Sequence, residues 1–258
     1  MIAKPLSCSK LNGADFWSFY LSESASNEVS EHHARVLIDC YIAAQHLQAL
    51  ADGAGVSLGQ QLQEVLPDAP HIRSGDFGEI LCRSTLLGFG DEPEFPVYRW
   101  RNRSHKNDTV RGMDLIGYVK GASRKDDRLV VCEVKTRATT PNQKVAIDCY
   151  EQLTEGYVTR AASALLFAHQ ALLRDGQTER AAELARFRNP HEHGSYRWRL
   201  TASVVHDSAL WQDSFLDALP GSYAFGSGVE VQVVVIRVAA LMVWIDLVYD
   251  GAIADAAI

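Results

Sequence analysis

Several kinds of chemistry drop out because the chain lacks the residues they need. There is no Gly-x-x-x-x-Gly-Lys-Ser/Thr loop to cradle nucleotide phosphates, so no ATP-driven motor is built into this chain. No Gly-x-Ser-x-Gly elbow presents a serine nucleophile. The five cysteines, Cys8, Cys40, Cys82, Cys132 and Cys149, form no Cys-x-x-Cys pair and have no histidine at zinc spacing. Reduced, mostly buried thiols of a cytosolic protein account for them. No charged n-region followed by an apolar stretch and a cleavage site opens the sequence, so secretion is not expected. The most apolar segment, Val229 to Asp250, is interrupted by Glu230, Arg237 and Asp246. Its pieces are too short for a clean membrane span and read instead as a buried strand followed by a buried helix or second strand. Internal repeats and low-complexity tracts are also missing.

What is present suits a globular α/β protein. Apolar residues make up 47% of the 258 positions and charged residues 22%, enough for a real core and too apolar for disorder. The formal charge of −7 argues against a generally adhesive nucleic-acid binder. The charge is unevenly spread, however. Residues 1–70 carry 3 basic and 8 acidic groups, residues 71–206 carry 21 and 17, and residues 207–258 carry 1 and 7. Only the middle is positive. There, the stretch from Tyr98 to Lys106 sets Arg99, Arg101, Arg103 and Lys106 around Tyr98 and Trp100, and Arg111 follows. Cations interleaved with aromatics suit phosphates and stacked bases, and they equally suit a polar strand with a solvated arginine face.

The periodicity from Ser30 to Asp52 is helical and is stopped by Gly53 and Gly55, and Ser57 to Leu66 reads as a second, short helix. Pro67 to Gly78 reads as a loop, with Ser74 or Asp76 capping a helix from Phe77 to about Leu87 that carries Glu79 in its first turn. Strands are predicted over Phe95–Arg101, Met113–Val119 and Arg128–Lys135, the last two joined as an antiparallel hairpin by the polar turn 120–127. One long helix is predicted from Val145 to about Arg174, another over Asp175–Pro190, and a half-buried strand over Ser195–His206. The order implies a mixed α/β fold around a small sheet. The working division is a helical N-terminal section over 1–70 and the remainder over 71–258, in one continuous unit.

The chemically pointed feature is the end of "LVVCEVKT". Residues two apart on a strand face the same way, so Glu133 and Lys135 project together from the end of an apolar strand. Buried charges there cost several kcal/mol unless paired or given a metal. The hairpin brings Asp114 into reach, and two carboxylates on neighbouring strands are what a hard divalent cation such as Mg²⁺ requires. Such an ion lowers the pKa of its water and neutralises charge on a scissile phosphate, with Lys135 orienting the water or stabilising the developing charge. The bland alternative is a surface hairpin with a Glu133–Lys135 contact. His191 and His193 read as a solvated loop rather than metal ligands, and Cys132 as a core thiol.

"SGDFGEIL", "NDTVRGMDLIG" and "EVKT" resemble the PD-(D/E)xK nuclease superfamily and, within it, the nuclease subunit of Hachiman antiphage systems, most clearly over residues 70–160. Met113 stands where the superfamily name has proline. The resemblance implies a restriction-endonuclease-like core, a sheet flanked by helices. It implies Mg²⁺ (or Mn²⁺) held by Asp114, Glu133 and the helical Glu79, Lys135 assisting the water, and Gln152 as an auxiliary group. It also implies cytoplasmic action on DNA under the control of a separate helicase subunit, with no membrane involvement. A non-catalytic adaptor that kept the fold and an RNA-directed nuclease are the other readings. Retention of all four polar residues argues against the adaptor.

Overall fold

The computed structural model describes residues 4–11, 14–21, 27–88, 93–110, 112–188, 196–223 and 225–256. At its centre is a six-stranded mixed sheet: β1 (Lys4–Leu11), β2 (Ala14–Leu21), β3 (Leu115–Val119), β4 (Arg128–Arg137), β5 (Arg197–Asp207) and β6 (Val229–Val238), in spatial order β1-β2-β6-β5-β4-β3. The four inner strands β2, β6, β5 and β4 run parallel, and antiparallel hairpins close both edges. Valine-rich β4, β5 and β6 bury side chains on both faces, as strands covered by helices on each side must.

Each face has its own core. On one side Val130, Cys132 and Val134 of β4 pack with α1 (Asn27–Tyr41), α3 (Leu58–Val65), α4 (Pro70–Leu87) and α8 (Leu241–Asp255). On the other, Leu129 and Val131 pack with α5 (Val145–Thr154), α6 (Tyr157–Arg174) and α7 (Thr178–Leu184). The alternation of β4 thus sends neighbouring residues into different cores. Among the described residues, no helix is long and apolar enough to cross a membrane.

The structure departs from the sequence reading at several places. Strands β1 and β2 precede the N-terminal helices; β2 finds its partner in β6, more than 200 residues away. The expected helix from Ser30 to Asp52 is two helices, α1 and α2 (Ala44–Ala54), and Gly55 in the left-handed region ends the second. Ser57 caps α3 through a capping box with Gln60. The expected loop 67–78 is wrong: Pro70 at N1 starts α4, so Asp76 and Glu79 lie inside a helix rather than at its start. The predicted strand 95–101 is instead a single bridge, Glu94 to Tyr118, followed by a 3₁₀ turn over Arg99–Asn102. The long helix from Val145 breaks at Gly156, which adopts the left-handed conformation between α5 and α6. His191 and His193 lie outside the described residues.

Helix α4 approaches β4 closely at Gly78. A Cβ there would stand 1.9 Å from Thr136 Oγ1 and 3.1 Å from Thr136 Cβ. Phe77, Gly78, Glu79, Ile80, Leu81 and Cys82 are all buried, so the helix cannot shift outward without opening the core. In an open helix Gly→Ala would stabilise by roughly 0.5–1 kcal/mol. Here the clash reverses the sign: Gly78→Ala should cost about 1–3 kcal/mol in chemical denaturation. Thr136→Ala in the same chain should recover most of that loss, a coupling that a double-mutant cycle reads directly.

Candidate functional site

The β3–β4 ladder runs from Val119 opposite Arg128 to Leu115 opposite Cys132, so one further step sets Asp114 against Glu133 at the mouth of the hairpin. Asp114 Oδ2 accepts a hydrogen bond from the Val134 N–H at 2.8 Å, which fixes the carboxylate on the neighbouring strand. Glu133 is only 1% exposed. Lys135 Nζ lies 3.2 Å from Glu133 Oε1 and also donates to Gln152 Oε1 on α5. The same-face projection of Glu133 and Lys135 is therefore realised, and Gln152 adjoins the pair. Glu79 arrives from α4, and Arg99 joins it to Asp114, with Nη2 at 3.0 Å from Glu79 Oε1 and Nη1 at 3.3 Å from Asp114 Oδ1. The structure thus forms two linked sets, Glu79–Arg99–Asp114 and Glu133–Lys135–Gln152, which meet where Asp114 accepts from the Val134 N–H next to Glu133.

Two arginines take part that the motif reading assigned elsewhere or passed over. Arg99, expected in a nucleic-acid patch, is instead a nearly buried cation between two carboxylates, and it donates to the Met113 carbonyl as well. Arg160, in the first part of α6, places Nη2 2.8 Å from Glu133 Oε2 and donates to the Gln152 carbonyl. Its signal in the sequence is faint: an arginine soon after the glycine that breaks a helical pattern. The other basic residues are also held by contacts within the chain, Arg103 in the interior and Arg101 and Lys106 nearer the surface. Arg101 donates to the Asp39 carbonyl and lies 4.4 Å over the Tyr98 ring. Arg103 pairs with buried Asp76, which also accepts from Tyr41, while Lys106 pairs with Asp68. Arg111 lies outside the described residues.

Electrostatics at the site follow from burial. Removal from water, reinforced by the negative charge of Glu133, pushes the Asp114 carboxyl up to about 6, against the opposing pull of Arg99. Burial, then the charge of Asp114, holds Glu79 well above the usual carboxylate range. Cys132 and Cys149 are pushed far up by burial, so neither is a ready thiolate nucleophile. An apolar cavity of about 160 Å³ borders the site, lined among others by Phe95, Trp100, Phe167, Arg99 and Asp114.

Magnesium is implied by the motif resemblance, and the donor set is chemically suited to it. All three carboxylates offer hard oxygens, and Glu79 Oε2 is buried without a hydrogen-bond partner. Among the described residues no group of three His, Cys, Asp or Glu side chains converges to hold a metal. The fit is of the kind in which one or two carboxylates, here Asp114 and Glu133, would hold the ion and waters would complete its shell. Guanidinium groups now lie on oxygens from all three carboxylates.

The raised Asp114 pKa has a thermodynamic sign. A carboxyl whose folded pKa exceeds its ordinary 3.8 favours the folded state while protonated, and that contribution is lost as pH rises through about 6. The metal-free protein should therefore lose stability relative to its Asp114→Asn variant as pH rises from about 4 to about 7. Thermal melting of both proteins across that range checks this; a difference that stays flat with pH would contradict it. Divalent-cation affinity should rise over the same interval, because the ligand must be deprotonated.

A comparison with curated proteins finds no match. The family model described as HamA matches residues 7–246, nearly the whole chain, including most of the β1–β2 hairpin, the strands that carry Asp114, Glu133 and Lys135, and the start of α8. The chain therefore belongs to the HamA family.

Proposed function

We propose that this protein is a Mg²⁺-dependent DNA nuclease of the PD-(D/E)xK type, the effector of a Hachiman antiphage system restrained by a separate helicase subunit. One observation carries the reading: a buried carboxylate, Glu133, shares one strand face with Lys135 while Asp114 is anchored across the ladder by the Val134 N–H. Membership of the HamA family supports the role in antiphage defence.

Each residue has a task in this reading. Asp114 and Glu133 would hold the ion, and Glu79 would add an oxygen or tune the charge at its side. When bound, the ion supplies an acidified water and neutralises charge on the scissile phosphate. Lys135, fixed by Glu133 and Gln152, orients the attacking water and stabilises negative charge that develops on the phosphate. Arg99 keeps Glu79 and Asp114 from repelling one another. The helicase partner must be supplied in trans, because this chain has no phosphate-cradling loop. Exposed apolar residues Val243 and Leu247, on the outer side of α8, are candidates for that contact, although most of α8 packs into the core.

The pairing of every one of these carboxylates with an arginine favours a second reading, a non-catalytic adaptor. The two separate on substitution. Glu133→Gln should lower Mg²⁺-dependent cleavage of plasmid DNA on the order of 10²–10³-fold, the scale of losing one preorganised electrostatic group. Lys135→Ala should lower it by about 10²-fold or more. Equal cleavage by wild type and both variants would refute the site. A wild-type protein that neither cuts nor binds Mg²⁺, alone or with its partner, would establish the adaptor. Parallel digestion of RNA decides between nucleic acids.

A further inference from the structure

The charges around Glu133 balance without any metal. Three carboxylates, Glu79, Asp114 and Glu133, are joined through ion pairs to three cations, Arg99, Lys135 and Arg160. A divalent ion entering this set leaves an excess of two positive charges in a largely dry site. Protonation of Asp114 or Glu79 would only make the metal-free set more positive. Loading therefore requires that a resident cation withdraw, that anions arrive, or both.

The three cations are not equally free to withdraw. Arg99 is 13% exposed, bridges two carboxylates and is tied to the Met113 carbonyl, so it is part of the frame. Lys135 is rooted in β4 and keeps Gln152 Oε1 as a partner when Glu133 turns to a metal. Arg160 reaches in from α6, is 25% exposed, and has Glu133 as its carboxylate; its second contact is a main-chain carbonyl. Released from Glu133, its planar fork matches two oxygens of a phosphate, a geometry that lysine cannot offer.

We propose that Arg160 is a phosphate-binding catalytic residue stored on Glu133 in the metal-free site, so that divalent cation and nucleic acid bind cooperatively. This rests on the reading of the site as a metal-dependent nuclease. With Glu133 turned to hold the ion, Arg160 would be free to take a backbone phosphate beside the scissile bond, whose charges would offset the surplus left by the ion. The coupling is reciprocal: nucleic acid tightens the metal by the factor with which the metal tightens nucleic acid.

The test is calorimetric titration of the full-length chain with Mn²⁺, alone and with a phosphorothioate DNA duplex that resists hydrolysis. Wild type should bind Mn²⁺ on the order of 10-fold more tightly with the duplex than without, within the usual span of site-to-site coupling. Arg160→Gln should bind Mn²⁺ alone on the order of 10-fold more tightly than wild type and lose most of the coupling. Arg160→Lys retains the charge, so its affinity for Mn²⁺ alone should stay near wild type while its coupling falls between the two. It also serves as the informative variant should Arg160→Gln fail to fold. Unchanged Mn²⁺ affinity and unchanged coupling in these variants would overturn the proposal while leaving the nuclease reading intact. Equal Mn²⁺ binding by wild type and Glu133→Gln would overturn that reading, and the proposal with it.

Discussion

A carboxylate buried to 1% exposure costs several kcal/mol unless its oxygens are paired, and the end of β4 places one there at Glu133. Much of the surrounding architecture answers that constraint. Lys135 lies two residues along the same strand face, Arg160 comes from the helix that follows the Gly156 break, and the Val134 N–H holds Asp114 on the adjacent strand. Asp114 brings its own charge into a dry environment, and Arg99 spans it to Glu79. That span is available because Gly78 lets α4 approach Thr136 on β4. The site is therefore a set of mutually dependent charges held between two apolar cores, and no one of its ion pairs stands alone.

Much of this was legible in the sequence where the determinants are local. The apolar run of β4, its Glu-x-Lys ending, the polar turn at 120–127 and the short helix that begins after Ser57 are each specified within about ten residues, and each forms as expected. Pairing over long distances was not legible. The β2–β6 ladder depends on two segments whose patterns say nothing about one another, and the N-terminal strands were missed for that reason. The start of helix α4 is hidden because a proline suits a loop as well as the first helical position that Pro70 occupies. The arginine-rich stretch misled in a different way. Its composition suits phosphates, but Arg99 and Arg103 are drawn inward by buried Glu79, Asp114 and Asp76, partners that local sequence cannot reveal.

The same charge set links fold to function. As it stands it holds as many cations as carboxylates, with a guanidinium on oxygens from every carboxylate. A hard cation and a polyanion together would open it without leaving charge unbalanced. A HamA protein with such a site is suited to restraint by a partner, because its idle state is already held by its own ion pairs. On the proposed reading, a partner would need only to control access of nucleic acid to one end of the sheet.

The central claim is that Asp114 and Glu133 jointly hold a divalent ion. Crystals of the chain with Mn²⁺ and a phosphorothioate DNA duplex provide the most direct measurement, through anomalous scattering from the metal. The account predicts an anomalous peak about 2–2.5 Å from oxygens of both Asp114 and Glu133, with the Arg160 guanidinium displaced from Glu133. A fully occupied duplex with no peak between those carboxylates, and with Arg160 still paired to Glu133, would contradict it.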